Sequence, residues 1–221
     1  MISSSLSSRP TLTRWNQLWS ALGVAPPSEE VVEELVASYS APDRFYHTLQ
    51  HLEACLLWLD RVRGLCRRPD EVELALWFHD AVYDTRRSDN EEKSAEWMER
   101  VAREQGLPEQ IVERVRAFIL ATRHGTGAVA HDAALIADID LAILGAAPEQ
   151  FEHYEQSVRA EYAWVEEKEF CTGRLAVLRS FLARRSIYST RYFRDRCEAL
   201  ARHNIAQSVA SLVSLANRSG R

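Results

Sequence analysis

Four side chains of one chemical kind recur along this chain: His51, then His79 with Asp80 beside it, then Asp140. His79 and Asp80 stand where an apolar run, Val72 to Phe78, comes to its end. An ionised carboxylate at the edge of a core costs on the order of several kcal/mol unless something neutralises it. Imidazole and carboxylate together suit a divalent cation. Asp140 lies in the run Leu135 to Leu144, where it and Asp138 are the two interruptions. Two acids in one greasy helix are expensive, and a metal or an arginine would offset them. Asp140 shares a face with Ile136, Ile143 and Leu144, so it is favoured as a ligand with Asp138 behind it.

Each residue has a duller reading. A lone histidine on an apolar helix face is usually a hydrogen-bonded core residue, and a buried acid usually meets an arginine. The joint pattern is what points to a metal. Two imidazoles and two carboxylates without a thiolate suit Mn²⁺, Fe²⁺, Co²⁺ or Ni²⁺ in octahedral geometry, with Mg²⁺ and Zn²⁺ as alternatives. Ligand positions open to water are what hydrolysis requires.

Helices must carry these groups, because almost every segment repeats with a period near 3.6 and none reads as a strand. Trp15, Leu18, Trp19 and Leu22 form a stripe before Pro26-Pro27. Ser28 is placed to cap the next helix. A third spans about 47–62, with His47 and His51 on one face, and Gly64 closes it. Pro69-Asp70 opens the helix that ends at His79-Asp80. Asp89 with Glu92 predicts a capping box for a helix over 90–105, which Gly106 and Pro108 end. A further helix covers 109–122, and Gly125-Thr126-Gly127 reads as a loop. Asp132 is placed to cap an apolar helix running to Gly145. Three longer helices follow, near 149–165, 168–184 and 195–216. The expectation is an all-α bundle of roughly nine or ten helices: one domain over 13–221, preceded by a disordered extension over 1–12.

The 221 residues suffice for a sizeable core without staples. A net charge of −5 argues against general nucleic-acid binding. Lys93 and Lys168 are the only lysines, so 25 of the 27 basic residues are arginines, suited to gripping phosphate through two hydrogen bonds. Cys55, Cys66, Cys171 and Cys197 form no C-x-x-C pair and read as small buried hydrophobes in a reducing compartment. With no secretory signal and no apolar run approaching the ~20 residues of a membrane span, a cytoplasmic protein is the expectation.

The blocks Tyr46-His47-Thr48-Leu49-Gln50-His51, Trp77-Phe78-His79-Asp80-Ala81-Val82-Tyr83-Asp84, Asp89 to Ala95 and Asp138 to Gly145 continue this pattern, as do Val158 to Tyr162, Gly173-Arg174 and Ala201 to Asn204. Together they resemble the HD-domain superfamily of metal-dependent phosphohydrolases, whose signature is H…HD…D, and in particular a bacterial subgroup of predicted hydrolases. The resemblance runs from about residue 12 onward. It implies an HD-like helical fold with His51, His79, Asp80 and Asp140 as metal ligands. The implied activity is hydrolysis of a nucleotide or other small phosphate ester by a metal-activated water, in a monomer or homodimer. Alarmone hydrolases of the superfamily follow HD with Glu-Asp; here Tyr83 replaces the Glu, which leaves Asp84 as the implied acid that orients the water. Glu91 and Glu92 are assigned to assist it. Arg44, His47, Lys93 and Arg159 are assigned to phosphate or substrate, and His124 to a second metal. Two alternatives within the same superfamily are a diiron oxygenase and a non-catalytic ligand sensor.

Overall fold

The computed structural model describes residues 8–123 and 131–218. These residues form ten α-helices: α1 (Ser8–Ala21), α2 (Glu29–Ser38), α3 (Leu49–Val62), α4 (Pro69–Phe78), α5 (Asn90–Glu104), α6 (Glu109–Leu120), α7 (His131–Asp140), α8 (Pro148–Glu161), α9 (Glu167–Ala183) and α10 (Arg191–Arg218). No strand occurs among the described residues, so the expected all-α architecture holds. No helix among them is long and apolar enough to cross a membrane. The chain divides into two compact units, one ending at Ala137 and the other beginning at Asp138. The division falls inside α7.

The first unit is built around α4. Every residue from Glu71 to Phe78 is buried, and α1, α3, α5 and α6 pack against this helix. Its apolar run explains that position, since a helix hydrophobic all round has to be enclosed. Two acids are enclosed with it. Glu71 accepts a two-pronged grip from Arg114, at 2.8 and 2.7 Å. Glu73 is held by Arg14 at 2.8 Å and Arg63 at 2.7 Å. Paired in this way, neither carboxylate is left as an uncompensated buried charge. Trp15 stands edge-on to Trp19 at 5.4 Å and to Trp77 at 5.3 Å, fixing α1 on α4.

Chain breaks follow from local chemistry. Gly106, at φ 76°, ends α5 in the left-handed conformation that favours glycine. Leu107 N–H then reaches back to the Ala102 carbonyl at 3.0 Å, and Leu107 is buried beneath it. Four expectations need correction. The third helix begins at Leu49, because Thr48 is extended (φ −108°, ψ 178°), so His47 lies in the turn before the helix. Asp89 makes no capping bond, since its carboxylate is taken by Arg87 at 2.9 and 2.7 Å. Ser28 stands at the start of α2 without a side-chain cap. Asp132, expected to cap α7, instead accepts the N–H groups of Arg67 (3.0 Å) and Arg68 (2.9 Å) at the start of α4. In addition, α1 starts at Ser8, so residues 8–12 of the expected extension are helical. The Gly125-Thr126-Gly127 loop lies outside the described residues.

In the second unit, α10 packs on α9 and on a 3-10 turn, Leu141–Gly145, where the expected α-helical run to Gly145 changes pitch. Gly145 permits this approach: a Cβ there would come within 2.7 Å of the Cys197 Cβ and 2.8 Å of its carbonyl oxygen. Asn204 donates from one amide nitrogen to the Leu144 and Ala146 carbonyls, both at 2.9 Å, which satisfies the end of that turn.

Candidate metal centre

α3 supplies two buried side chains one turn apart, His51 and Cys55. The end of α4 supplies His79, and Asp80 follows in the turn beyond it. His79 is 1% exposed. Its Nδ1 lies 2.7 Å from the Leu76 carbonyl, so Nδ1–H donates there and Nε2 keeps the lone pair. A backbone acceptor on one ring nitrogen is the usual way a ligating imidazole is oriented.

Three atoms meet at close range. His51 Nε2 and His79 Nε2 are 3.1 Å apart. Asp80 Oδ2 is 3.1 Å from His79 Nε2 and 3.4 Å from His51 Nε2. Two donor atoms each about 2.1 Å from one ion lie about 3.0 Å apart at a right angle and about 3.4 Å apart at the tetrahedral angle. The triangle therefore has the edges of a coordination polyhedron. A cation would engage all three lone pairs together. The Asp80 carboxyl is held well below the ordinary carboxylate range. Burial works against its charge, and the His79 and His47 imidazoles with hydrogen bonds from His51 and His79 outweigh that burial. Burial likewise works against the Cys55 thiolate and is outweighed by the same two imidazoles.

The turn that presents Asp80 is held from behind. Arg44, only 8% exposed, donates to the carbonyls of His47 (3.1 Å), Asp80 (2.6 Å) and Ala81 (3.0 Å). Tyr39 donates its hydroxyl to the Trp77 carbonyl at 3.2 Å and accepts the Asp80 N–H at 3.3 Å. Burial pushes the Tyr39 phenol up to about 12, so it stays a donor. The backbone of the His79-Asp80 pair is thus fixed by two side chains from outside α4, as a preorganised centre requires.

The remaining sequence candidates have other surroundings. Arg44, assigned to substrate, is committed to the three carbonyls above. The ring of His47 stacks on Tyr83 at 3.9 Å and meets His51 edge-on at 5.8 Å, on the rim of the centre. The Asp84 carboxylate accepts the Arg86 N–H at 2.8 Å, while Asn90 brackets its backbone at 3.2 and 3.0 Å. Glu91 and Glu92 open α5 and both pair with Arg123, Glu92 through a hydrogen bond. Lys93 is half-buried and pairs with Glu96 at 2.7 Å. Arg159 belongs to the second unit and donates to the carbonyls of Tyr162 (2.7 Å) and Val165 (3.2 Å), just past the end of α8. His124 lies outside the described residues.

The two acids of α7 differ. Asp138 accepts the Ser189 N–H (2.7 Å), the Thr190 N–H (2.7 Å) and the Thr190 hydroxyl (2.6 Å), which ties it to the start of α10. Its oxygens are thereby occupied by donors of the second unit. Asp140 is half-buried and ends α7. Sequence reasoning missed Cys55 and Tyr39. The spacing of Cys55 four residues after His51 was the available signal for the first; the second had none, because Tyr39 is brought in by α2 from 41 residues away.

Compared with known protein families, with curated proteins and with solved structures, the chain finds no match in any of the three.

Proposed function

We propose that this protein is a metal-dependent phosphohydrolase of the HD type, acting on a nucleotide or other small phosphate ester. The observation that carries the reading is the triangle of His51 Nε2, His79 Nε2 and Asp80 Oδ2, with edges of 3.1, 3.1 and 3.4 Å. Such a cluster fits a divalent cation better than it fits a core, where buried polar atoms meet donors rather than one another's lone pairs.

A divalent cation held there supplies Lewis-acid polarisation of a phosphoryl oxygen and acidifies water. The chain's own residues do the rest. The Leu76 carbonyl keeps the His79 proton on Nδ1. Arg44 and Tyr39 fix the backbone on which Asp80 sits. Asp84, on the turn after the centre, orients the attacking water and takes its proton. His47 and Tyr83 form an aromatic rim against which a substrate can rest.

The test pairs metal analysis of the purified protein with phosphate release from a panel of nucleotides. The expected result is bound divalent metal and turnover in the wild type, with both lost in His79→Ala. Identical behaviour of the two proteins in both assays rejects the reading.

A further inference from the structure

We propose that Cys55 is an additional protein ligand of the metal centre and that its thiolate biases the centre toward thiophilic cations: Zn²⁺, Co²⁺ and Fe²⁺ over Mn²⁺ and Mg²⁺. The proposal rests on the metal-centre reading above, and goes beyond it in both ligand set and metal preference. A ligand set of imidazole and carboxylate alone predicts a hard-to-borderline ion, whereas a thiolate changes the selection.

The geometry carries it. Ligand atoms of His51, Cys55 and His79 all lie within 4.8 Å of one another. Cys55 Sγ is 3.7 Å from His51 Nε2, the same nitrogen that forms the triangle, and 3.9 Å from Nδ1. A metal–sulfur bond near 2.3 Å and a metal–nitrogen bond near 2.1 Å, set at the tetrahedral angle, separate sulfur and nitrogen by about 3.6 Å. The observed edge has that length, but Sγ lies beside the His51 ring, nearly equidistant from its two nitrogens, so ligation requires the Cys55 side chain to swing toward the Nε2 lone pair. The spacing also fits, because residues four apart on α3 present both side chains on one buried face. The other three cysteines show no such placement: among the described residues, the one cluster with metal-ligand geometry contains Cys55 alone of the four. On binding, one metal–sulfur bond forms, the S–H bond breaks and its proton leaves to solvent, so metal uptake at this centre releases a proton.

The bland alternative is a buried thiol that donates a weak hydrogen bond to His51 and stays protonated when metal arrives. Cobalt(II) distinguishes the two, since a thiolate ligand gives a near-ultraviolet sulfur-to-cobalt charge-transfer band that imidazole and carboxylate ligands do not. Metal-free, full-length protein is titrated with Co²⁺ and followed across the ultraviolet and visible ranges, alongside Cys55→Ser and Cys55→Ala. Circular dichroism checks that both variants keep the helical fold. The expected result is visible d–d bands in all three proteins, with the charge-transfer band in the wild type alone. The ratio of Co²⁺ to Mn²⁺ affinity should fall by about tenfold in the variants, because the soft ligand that favours Co²⁺ is gone. Visible bands without a charge-transfer band in the wild type overturn the Cys55 assignment and leave the metal centre standing, as does a charge-transfer band that survives in both variants. Absence of Co²⁺ binding by the wild type overturns the metal centre itself and the Cys55 assignment with it. If neither variant folds, the wild-type spectrum still decides the first arm.

Discussion

Each unit of the molecule encloses a carboxylate, Asp80 in the first and Asp138 in the second, and the two are treated in opposite ways. Asp138 is met by two backbone N–H groups and a hydroxyl, all within 2.7 Å. Asp80 is met by two imidazoles whose Nε2 atoms also face each other. The effect on charge differs accordingly. Burial pushes the Asp138 carboxyl up, despite its donors, whereas the imidazole environment drives the Asp80 carboxyl well down. A buried acid surrounded by donors is a tie between segments, and its charge is tolerated. One that shares its space with imidazole lone pairs is arranged around positive charge. In this chain both kinds are Asp in or beside an apolar helix, so residue type and local hydrophobicity alone do not separate them; the partners do.

The largest effect that can break this comparison is expected from His79→Ala. It should abolish stoichiometric metal binding and cut phosphate release by about 10²–10³-fold, the scale of losing a principal electrostatic stabiliser. Metal in 100-fold excess over its Kd should stabilise the wild type by about 2.7 kcal/mol and leave the variant unmoved. Thermal melts with and without metal read the difference directly. Asp138→Ala should do the reverse: a loss of about 1–2 kcal/mol in unfolding free energy from denaturant melts, because three half-buried donors lose their acceptor, with the folded protein still taking up metal. If Asp138→Ala empties the centre while barely changing stability, the two acids have been assigned the wrong way round.

A smaller effect sharpens the first half. Arg44 touches none of the three converging atoms, yet it holds the carbonyls of Asp80 and Ala81 in place. Arg44→Met should weaken metal affinity by about 10–100-fold, as losses of supporting interactions around a ligand do. Were Arg44 instead a phosphate anchor, the variant would raise KM and leave metal affinity alone. Isothermal titration with Mn²⁺ or Co²⁺ separates the outcomes.

The sequence made much of the fold legible and part of the candidate site. The 3.6-residue period marks out the ten helices because each buries a stripe or, for α4, its whole surface. Pro69 and Gly106 mark a start and a stop, because their backbone preferences act locally. His51, His79 and Asp80 do stand together, and the clue was an imidazole-carboxylate pair at the end of an apolar run. What stayed hidden depends on tertiary partners. Asp89 looked like a cap, but Arg87 claims it. Arg44 looked available to substrate, but the loops on either side of it bring three carbonyls to its guanidinium. The division at Ala137 was invisible because it falls within a helix rather than in a linker. Cys55 is hard to single out in the sequence because a lone, scattered cysteine is normally inert packing; its position one turn beyond His51 is the one local sign of it.

Asp132 gives the smallest and most discriminating test of how such carboxylates work, because it is the pure tie, remote in kind from metal chemistry. Its two oxygens accept the N–H groups of Arg67 and Arg68, which open α4, and His131 Nδ1 lies 3.0 Å from one of them. Burial works against the charge, and these three hydrogen bonds outweigh it, so the carboxyl sits below its ordinary value. An acid whose folded pKa is depressed contributes stability that is fully present above its unfolded pKa of about 3.9 and is lost as pH falls through the lower folded value. Asp132→Asn keeps one acceptor oxygen and removes the charge, so it should cost about 1 kcal/mol at neutral pH. The gap between wild type and variant should persist at about pH 5 and then close in more acidic solution. Urea midpoints at a series of pH values measure that gap. A gap that widens toward acid would mean that Asp132 is stabilised in its protonated form, as burial alone would dictate, and that its donors do not outweigh burial.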